Sequence, residues 1–185
     1  MLEVLVLLVF TLFLVWGRVD FTYLTVFIFL LLLILPGTYA LFFGAPYIRS
    51  DDKRIDGILK LAKLKKSDKV YDLGCGDGKL IRAVASAGVE NSIGYELSIP
   101  TFLLAKYLCI EQKSSAKVLF GNFWRKDVSD ADVIVCFLLG PAMERFYREI
   151  WPNLKAGTRV VSYEFEIPGL DPSKSLNRVY LYIKN

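Results

Sequence analysis

Two apolar runs open the chain. Residues 4–16 are unbroken apolar sequence apart from Thr11. After Gly17-Arg18-Val19-Asp20 a second uncharged run extends from Phe21 to Leu35, passes Pro36-Gly37 and continues to Ala45. A helix over residues 2–17 would span about 24 Å at 1.5 Å per residue, slightly short of a hydrocarbon core of about 30 Å. The second run is long enough to cross one even with a kink at Pro36. The pattern predicts a transmembrane helical hairpin over residues 1–44, with Arg18 and Asp20 in its turn. One spanning helix preceded by a helix lying in the interface is the alternative.

Over residues 45–185 the pattern becomes that of a folded domain. Ile55, Ile58, Leu59 and Ala62 recur at helical spacing behind Ser50, a cap, with Asp51 and Asp52 in the first turn. Lys69–Leu73 is a short strand that runs into Gly74-Cys75-Gly76-Asp77-Gly78. Leu80, Ile81, Val84 and Ala85 then form the buried stripe of a helix reaching Ala87. A strand at 92–96 and a helix at 99–112 follow, with Ser98 before the helix and Pro100 in its first turn. Residues 117–120 and 133–138 read as buried strands, 143–151 as a helix with Phe146, Tyr147 and Ile150 apolar, and 159–165 and 179–183 as further strands. Strands alternating with helices predict an α/β fold. A mostly parallel central sheet is covered on both faces, and its ligand crevice lies at the carboxyl ends of the strands.

Composition sharpens the division. Hydrophobic residues make up 54% of the chain, above the usual globular share, and they are unevenly placed. Residues 1–44 hold three charges, whereas residues 45–185 hold 22 basic and 17 acidic side chains. Disorder and collagen are excluded. Histidine is absent, which removes Ser-His triads, His-ligated zinc and His general bases. Cys75, Cys109 and Cys136 are odd in number and lack CxxC spacing. They fit buried thiols in a reducing compartment, with no disulfide framework and no metal site. The Met-Leu-Glu start lacks the basic region of a signal peptide. Arg49, Lys53, Arg54, Lys60, Lys63, Lys65 and Lys66 follow the second apolar run, so the positive-inside rule places the domain in the cytoplasm. The same lysines suit anionic headgroups, or simply a solvated helix face.

The five residues Gly74–Gly78 place glycine at every second position between a strand and a helix, where a ligand can approach without meeting a Cβ. Lys79 occupies the place of the third glycine in the dinucleotide fingerprint, and no Gly-Lys-Ser/Thr follows, so neither that fingerprint nor a P-loop applies. Asp72 and Asp77 make the loop unwelcoming to anions. Glu96 ends the second strand eighteen residues past Gly78, where a carboxylate accepts both hydroxyls of a ribose. A nucleoside carrying positive charge satisfies all three acids. Glu164 and Glu166, expected at the carboxyl end of a central strand and on one face by the period of two, suit a cationic substrate. A plain solvated strand end is the alternative.

The segment Val70-Tyr71-Asp72-Leu73-Gly74-Cys75-Gly76-Asp77-Gly78 resembles the first motif of the class I S-adenosylmethionine-dependent methyltransferases, and Gly94-Tyr95-Glu96 their second. Residues 154–161 resemble the turn before their fifth strand. More narrowly, the chain is similar to the protein lysine methyltransferase family of the ATP synthase c-subunit and adenine-nucleotide-translocase methyltransferases and their small archaeal relatives. That similarity rests on Ala45-Pro46-Tyr47-Ile48, Gly121-Asn122-Phe123, Phe137-Leu138-Leu139 and Val161-Ser162-Tyr163-Glu164-Phe165-Glu166. Two departures stand out. Arg49 and Ser50 replace a second proline and a threonine, and the stretch between Pro168 and Val179 is short, so the sixth strand is expected to be stunted or missing.

The resemblance implies a Rossmann-like fold and S-adenosylmethionine as cofactor. Gly74, Gly76 and Gly78 would line its methionine part, with Asp72 near the ammonium and Glu96 on the ribose. Asn122 would meet the adenine edge, or serve only as a turn residue. Phe123 would lie against the adenine face, or in plain core. Tyr47 would join a lid beside the sulfonium, or sit as an interfacial aromatic. The expected function is a membrane-anchored protein-lysine methyltransferase. Its partners would be a membrane-associated protein with an accessible lysine and the lipid bilayer, and the catalytic domain would face the cytoplasm, or the matrix in a mitochondrion. Methylation of a lipid, quinone or other membrane-borne small molecule is a second reading, and a non-catalytic cofactor-binding scaffold a third. Nucleic acid is disfavoured by the mild net charge and by Leu138-Leu139-Gly140-Pro141, which replaces the motif of nucleic-acid amino-methylating enzymes.

Overall fold

The structure, a computed structural model, describes residues 9–11, 21–43 and 52–185, with side chains over 9–11, 21–32 and 54–185. The chain divides into two compact units, residues 1–35 and 36–185, where the sequence pattern set the division at 44/45. In the first unit residues 9–11 are helical; α1 runs over Phe21–Phe43, across the 35/36 boundary. The helix continues through Pro36. The Phe10 ring stacks on that of Phe27 at 4.4 Å. Among the described residues no helix is long and apolar enough to cross a membrane. The expected turn at Arg18 and Asp20 and most of the first apolar run lie outside the described residues.

The second unit carries a seven-stranded sheet in the order β3-β2-β1-β4-β5-β7-β6. The strands are β1 Lys69–Leu73, β2 Asn91–Glu96, β3 Lys117–Phe120, β4 Val133–Cys136, β5 Arg159–Tyr163, β6 Lys174–Leu176 and β7 Val179–Ile183. The first five pair in parallel, and β7 is antiparallel to both β5 and β6. Strand order reverses between β1 and β4, which opens the crevice at their carboxyl ends. The expected sixth strand is present but stunted, three exposed residues at the sheet edge. The helices are α2 Asp52–Ala62, α3 Lys79–Ser86, α4 Ile99–Glu111 and α5 Gly140–Glu149.

Successive strand residues feed opposite cores, as a period of two requires. Val70, Val133 and Val135 join Ile58, Ile81 and Ala105 beneath α2, α3 and α4. Tyr71, Ile134 and Cys136 join Met143 and Phe146 of α5 on the other face. A clamp missed by sequence reading closes the amino-terminal end of the sheet. Arg159 donates Nη1 to the carbonyls of Ala62 and Lys63, each at 2.6 Å, and Nη2 to Asp68 Oδ2 at 2.6 Å, which caps the end of α2.

Several boundaries differ from the sequence pattern. β4 ends at Cys136 rather than Leu138, because its pairings stop there: Cys136 lies opposite Leu73, after which β1 becomes the glycine loop. β5 ends at Tyr163 rather than Phe165. Glu164 has φ +70 and turns the chain, so the period-two argument that put Glu164 and Glu166 on one strand face does not hold. α5 begins at Gly140, three residues early with Pro141 in its first turn, and Trp151–Asn153 is a separate 3-10 turn containing Pro152. Ser50 and Asp51, the expected cap and first-turn acid of α2, lie outside the described residues.

Candidate active site

The glycine loop leaves β1 with Gly74, Gly76 and Gly78 all at positive φ (85°, 57° and 73°). Gly78 is left-handed at the cap of α3, a conformation that penalises a Cβ. Two backbone bonds tie the loop to β2, with the amides of Gly74 and Cys75 both donating to the Tyr95 carbonyl at 3.0 and 2.9 Å. The fit is close. A Cβ on Gly94 of β2 would stand 2.7 Å from both Cβ and Sγ of Cys75, so that strand position admits only glycine. Arg82, buried in α3, extends the anchoring by donating Nη1 to the Asp77 carbonyl and Nε to Gln112 Oε1 at 3.0 Å.

Glu96 does more than end β2. Its Oε2 accepts the Gly76 amide at 2.9 Å and its Oε1 the Ser98 amide at 2.7 Å, so it staples the glycine loop to the start of α4. Burial raises its pKa above the ordinary carboxylate value, and the two amide bonds oppose that. Asp72 is 5% exposed, and its pKa is pushed up to about 7, first by burial and then by the charges of Glu96 and Asp77. The Cys75 thiol is held well above its usual range by burial and the same two acids, Asp72 and Glu96, and is therefore no nucleophile at neutral pH. Three buried carboxylates, Asp72, Asp77 and Glu96, thus surround a loop of left-handed glycines. Three carboxylates so close together disfavour one another's charged forms, and a cation that also carries hydroxyl donors relieves them.

The remaining expected site residues are placed as follows. Asn122 caps the 3-10 turn Phe123–Arg125, its Oδ1 accepting the Trp124 amide at 3.1 Å. Phe123 is buried, with 7% exposure, in the core that holds Tyr71 and Tyr95, its ring 4.5 Å from that of Trp124. Glu164 is ion-paired with Arg178 and also donates its amide to the Arg178 carbonyl at 2.8 Å, while Glu166 is exposed. Tyr47 lies outside the described residues.

One group was not singled out by sequence reasoning. Phe137, next after β4, has its ring 5.4 Å from Tyr163, the last residue of β5, and 5.9 Å from Phe165, just beyond the turn at Glu164. All three are half-buried, and the Arg54 guanidinium already lies 4.8 Å over the Tyr163 ring. Three aromatic faces beside the strand switch, one of them carrying a cation, suit the recognition of an ammonium. Both stretches that hold them carry the family resemblance, but Phe137 is distant in sequence from Tyr163 and Phe165, and only the fold brings the three rings together.

Comparison with known proteins agrees with this geometry. The family model described as the ANTKMT methyltransferase domain matches residues 72–174. The chain is 35% identical over 151 residues to a protein-lysine N-methyltransferase of Saccharolobus islandicus, covering 75% of this chain and 92% of that one. It is 27% identical over 143 residues to the mouse adenine nucleotide translocase lysine N-methyltransferase, covering 74% of this chain but only 62% of the mouse protein. Among solved structures it resembles an RNA methyltransferase from Salinibacter ruber in complex with S-adenosyl-L-homocysteine. The TM-score is 0.68 and the identity 26%, over 74% of this chain and 94% of that one. With more than half of its length matched, the chain belongs to the ANTKMT methyltransferase domain family and is an S-adenosylmethionine-dependent methyltransferase.

Proposed function

We propose that this protein is a membrane-anchored protein-lysine methyltransferase, methylating lysine side chains of proteins at the membrane with its catalytic domain on the cytoplasmic side. The 35% identity to the archaeal protein-lysine N-methyltransferase, over nearly its full length, carries the choice of acceptor. Anchoring is supported by α1. Its described side chains are apolar on every side, with Phe21, Tyr23, Phe29 and Leu32 among the most exposed. A helix hydrophobic all round requires an apolar surrounding.

The buried acids fit the cofactor: Asp72 would hold its ammonium and Glu96 would accept from its ribose hydroxyls; when bound, the cofactor supplies an electrophilic methyl group. The backbone of Gly74, Gly76 and Gly78 lines the loop, and Asn122 and Phe123 stand at the end of β3, on the adenine side. Phe137, Tyr163 and Phe165 would hold the acceptor side chain in line, which is where most of the rate gain of such a displacement arises. The acceptor amine must be neutral, although a free lysine titrates near 10.4, and burial among aromatic rings beside a positive charge lowers that value. Its proton would leave to water, and Glu166, exposed beyond the end of β5, is a group that could pass it on.

Methylation of a membrane-borne small molecule is the second reading, since an anchor serves both. Membranes containing the full chain are incubated with radiolabelled S-adenosylmethionine, and the label is sought in protein and in lipid extract. Label in acid-stable lysine of a membrane protein supports the proposal. Label in lipid replaces it with the second reading, and label in neither refutes both.

A further inference from the structure

Among the described residues nothing covers the outer face of α4. At 3.6 residues per turn, Ile99, Leu103, Tyr107 and Ile110 fall within a sector of about 80°. Leu103 is 59% exposed, Tyr107 63% and Ile110 76%. Leu104 borders the same sector. The buried side of the helix is equally apolar, with Ala105 and Cys109 in the core, so α4 is hydrophobic on both sides. Leu119 and Phe120 of the edge strand β3 continue the exposed surface, and the Phe102 and Phe120 rings join helix to strand at 5.6 Å. A contiguous apolar face of this kind marks an interaction surface.

Charge identifies the partner. Residues 97–126 carry five basic side chains, Lys106, Lys113, Lys117, Arg125 and Lys126, against the single acid Glu111. The rest of the chain carries eighteen of each sign, so the whole excess of +4 lies in this segment. Apolar side chains at the centre, lysines around them and a tyrosine at the level between are the pattern of a helix lying in the headgroup region of an anionic bilayer. Nucleic acid would instead require the charges at the centre of the contact. We infer that α4 and the end of β3 form a docking face for an anionic membrane surface. This inference rests on residues 97–126 alone and not on residues 1–44 or on the acceptor.

The face adjoins the crevice. Ile99 follows Ser98, whose amide donates to Glu96, and Phe120 precedes Gly121, whose amide donates to the Glu96 carbonyl at 2.9 Å. A bilayer seated on α4 therefore lies beside the cofactor-binding rim, and substrates held in the headgroup region reach it without leaving the surface.

The test uses the full chain with Ile110→Cys carrying an environment-sensitive fluorophore. The native cysteines are buried, which confines labelling to position 110. Glu90→Cys, exposed just before β2 and off the α4 face, is the control. Each is added to vesicles of phosphatidylcholine, with or without phosphatidylglycerol, doped with a lipid nitroxide at shallow depth. The expected result is blue-shifted, quenched emission at 110 and not at 90, stronger on the anionic vesicles. Leu103→Asp with Tyr107→Asp should abolish the quenching while cofactor affinity stays unchanged. A probe at 110 that remains in water on both vesicles overturns the inference, as does quenching no stronger on the anionic ones. Shielding without nitroxide quenching would assign the face to a second copy of the chain, and shielding by single-stranded RNA would assign it to nucleic acid; either overturns it.

Discussion

Asp72→Asn separates the cost of the empty site from its use. The Asp72 carboxyl is held at about 7 by burial, with Glu96 and Asp77 adding to it. In the unfolded chain an aspartate titrates near 3.9, so the folded state binds this proton more tightly. The sign follows from linkage. Where the folded state holds more protons, stability falls as pH rises, here between about 4 and about 7, and the full cost persists above that window. At about 1.4 kcal/mol per pH unit the span reaches ~4 kcal/mol, and coupling to Glu96 in the same cluster reduces the share of Asp72 to about 1–3 kcal/mol. Asparagine keeps the shape and removes the charge. In thermal melts of the full chain in one detergent, Asp72→Asn should melt several degrees above the parent near pH 8, at about 2–4 °C per kcal/mol. The difference should shrink through that window and close below about pH 4, where the carboxyl is protonated in the unfolded chain as well as in the folded one. Calorimetric titration with S-adenosylmethionine should show the opposite preference: the variant binds more weakly, and the parent loses roughly tenfold in affinity per pH unit below 7. A melting difference that does not change with pH refutes the buried-charge account. Undiminished cofactor affinity in the variant refutes the role of Asp72 toward the ammonium.

Glu96→Ala should weaken cofactor binding by about 1–3 kcal/mol through lost charge-assisted bonds, read by the same titration. It should also free the Gly76 and Ser98 amides to exchange hydrogen faster, since both donate to that carboxylate. Gly94→Ala drives a Cβ to 2.7 Å from Cys75. It should cost about 1–3 kcal/mol in denaturant melts, most of it recovered by adding Cys75→Gly. Arg159→Ala removes the clamp on Ala62, Lys63 and Asp68 and should lower stability by about 2–4 kcal/mol without altering cofactor affinity. Phe137→Ala should raise KM for a lysine peptide several-fold while leaving cofactor affinity intact, as expected from ammonium–ring contacts worth about 0.5–2 kcal/mol.

What the sequence shows and hides follows from the range of each interaction. The alternation of strands and helices is local, and from Lys69 onward every sheet strand but the short β6 was legible within a few residues. The glycine loop and the acid at the end of β2 were legible too, because spacing along the chain fixes what stands at two neighbouring strand ends. β4 and β5 were drawn too long for a different reason. Phe137-Leu138 and Glu164-Phe165 continue an alternating pattern, but a strand lasts only as long as its neighbours do, and the end of β4 is set by where β1 turns into the loop. The same long-range dependence hid the chemistry of Glu96. Its carboxylate at the end of a strand suggested a ribose, yet only the fold brings the Gly76 amide, twenty residues away, to its Oε2. Gly94 is the sharpest instance. Within the second motif it reads as one small residue in a strand, and its necessity exists only because Cys75 is pressed against it from another element. The aromatic cluster and the α4 face were hidden in opposite ways. Phe137 is distant in sequence from Tyr163 and Phe165 and meets them only at strand ends. α4 is continuous, but a helix apolar on both sides carries no signal of which side the core takes, and the sheet alone decides that Ala105 and Cys109 face inward and leaves Tyr107 and Ile110 to the outside.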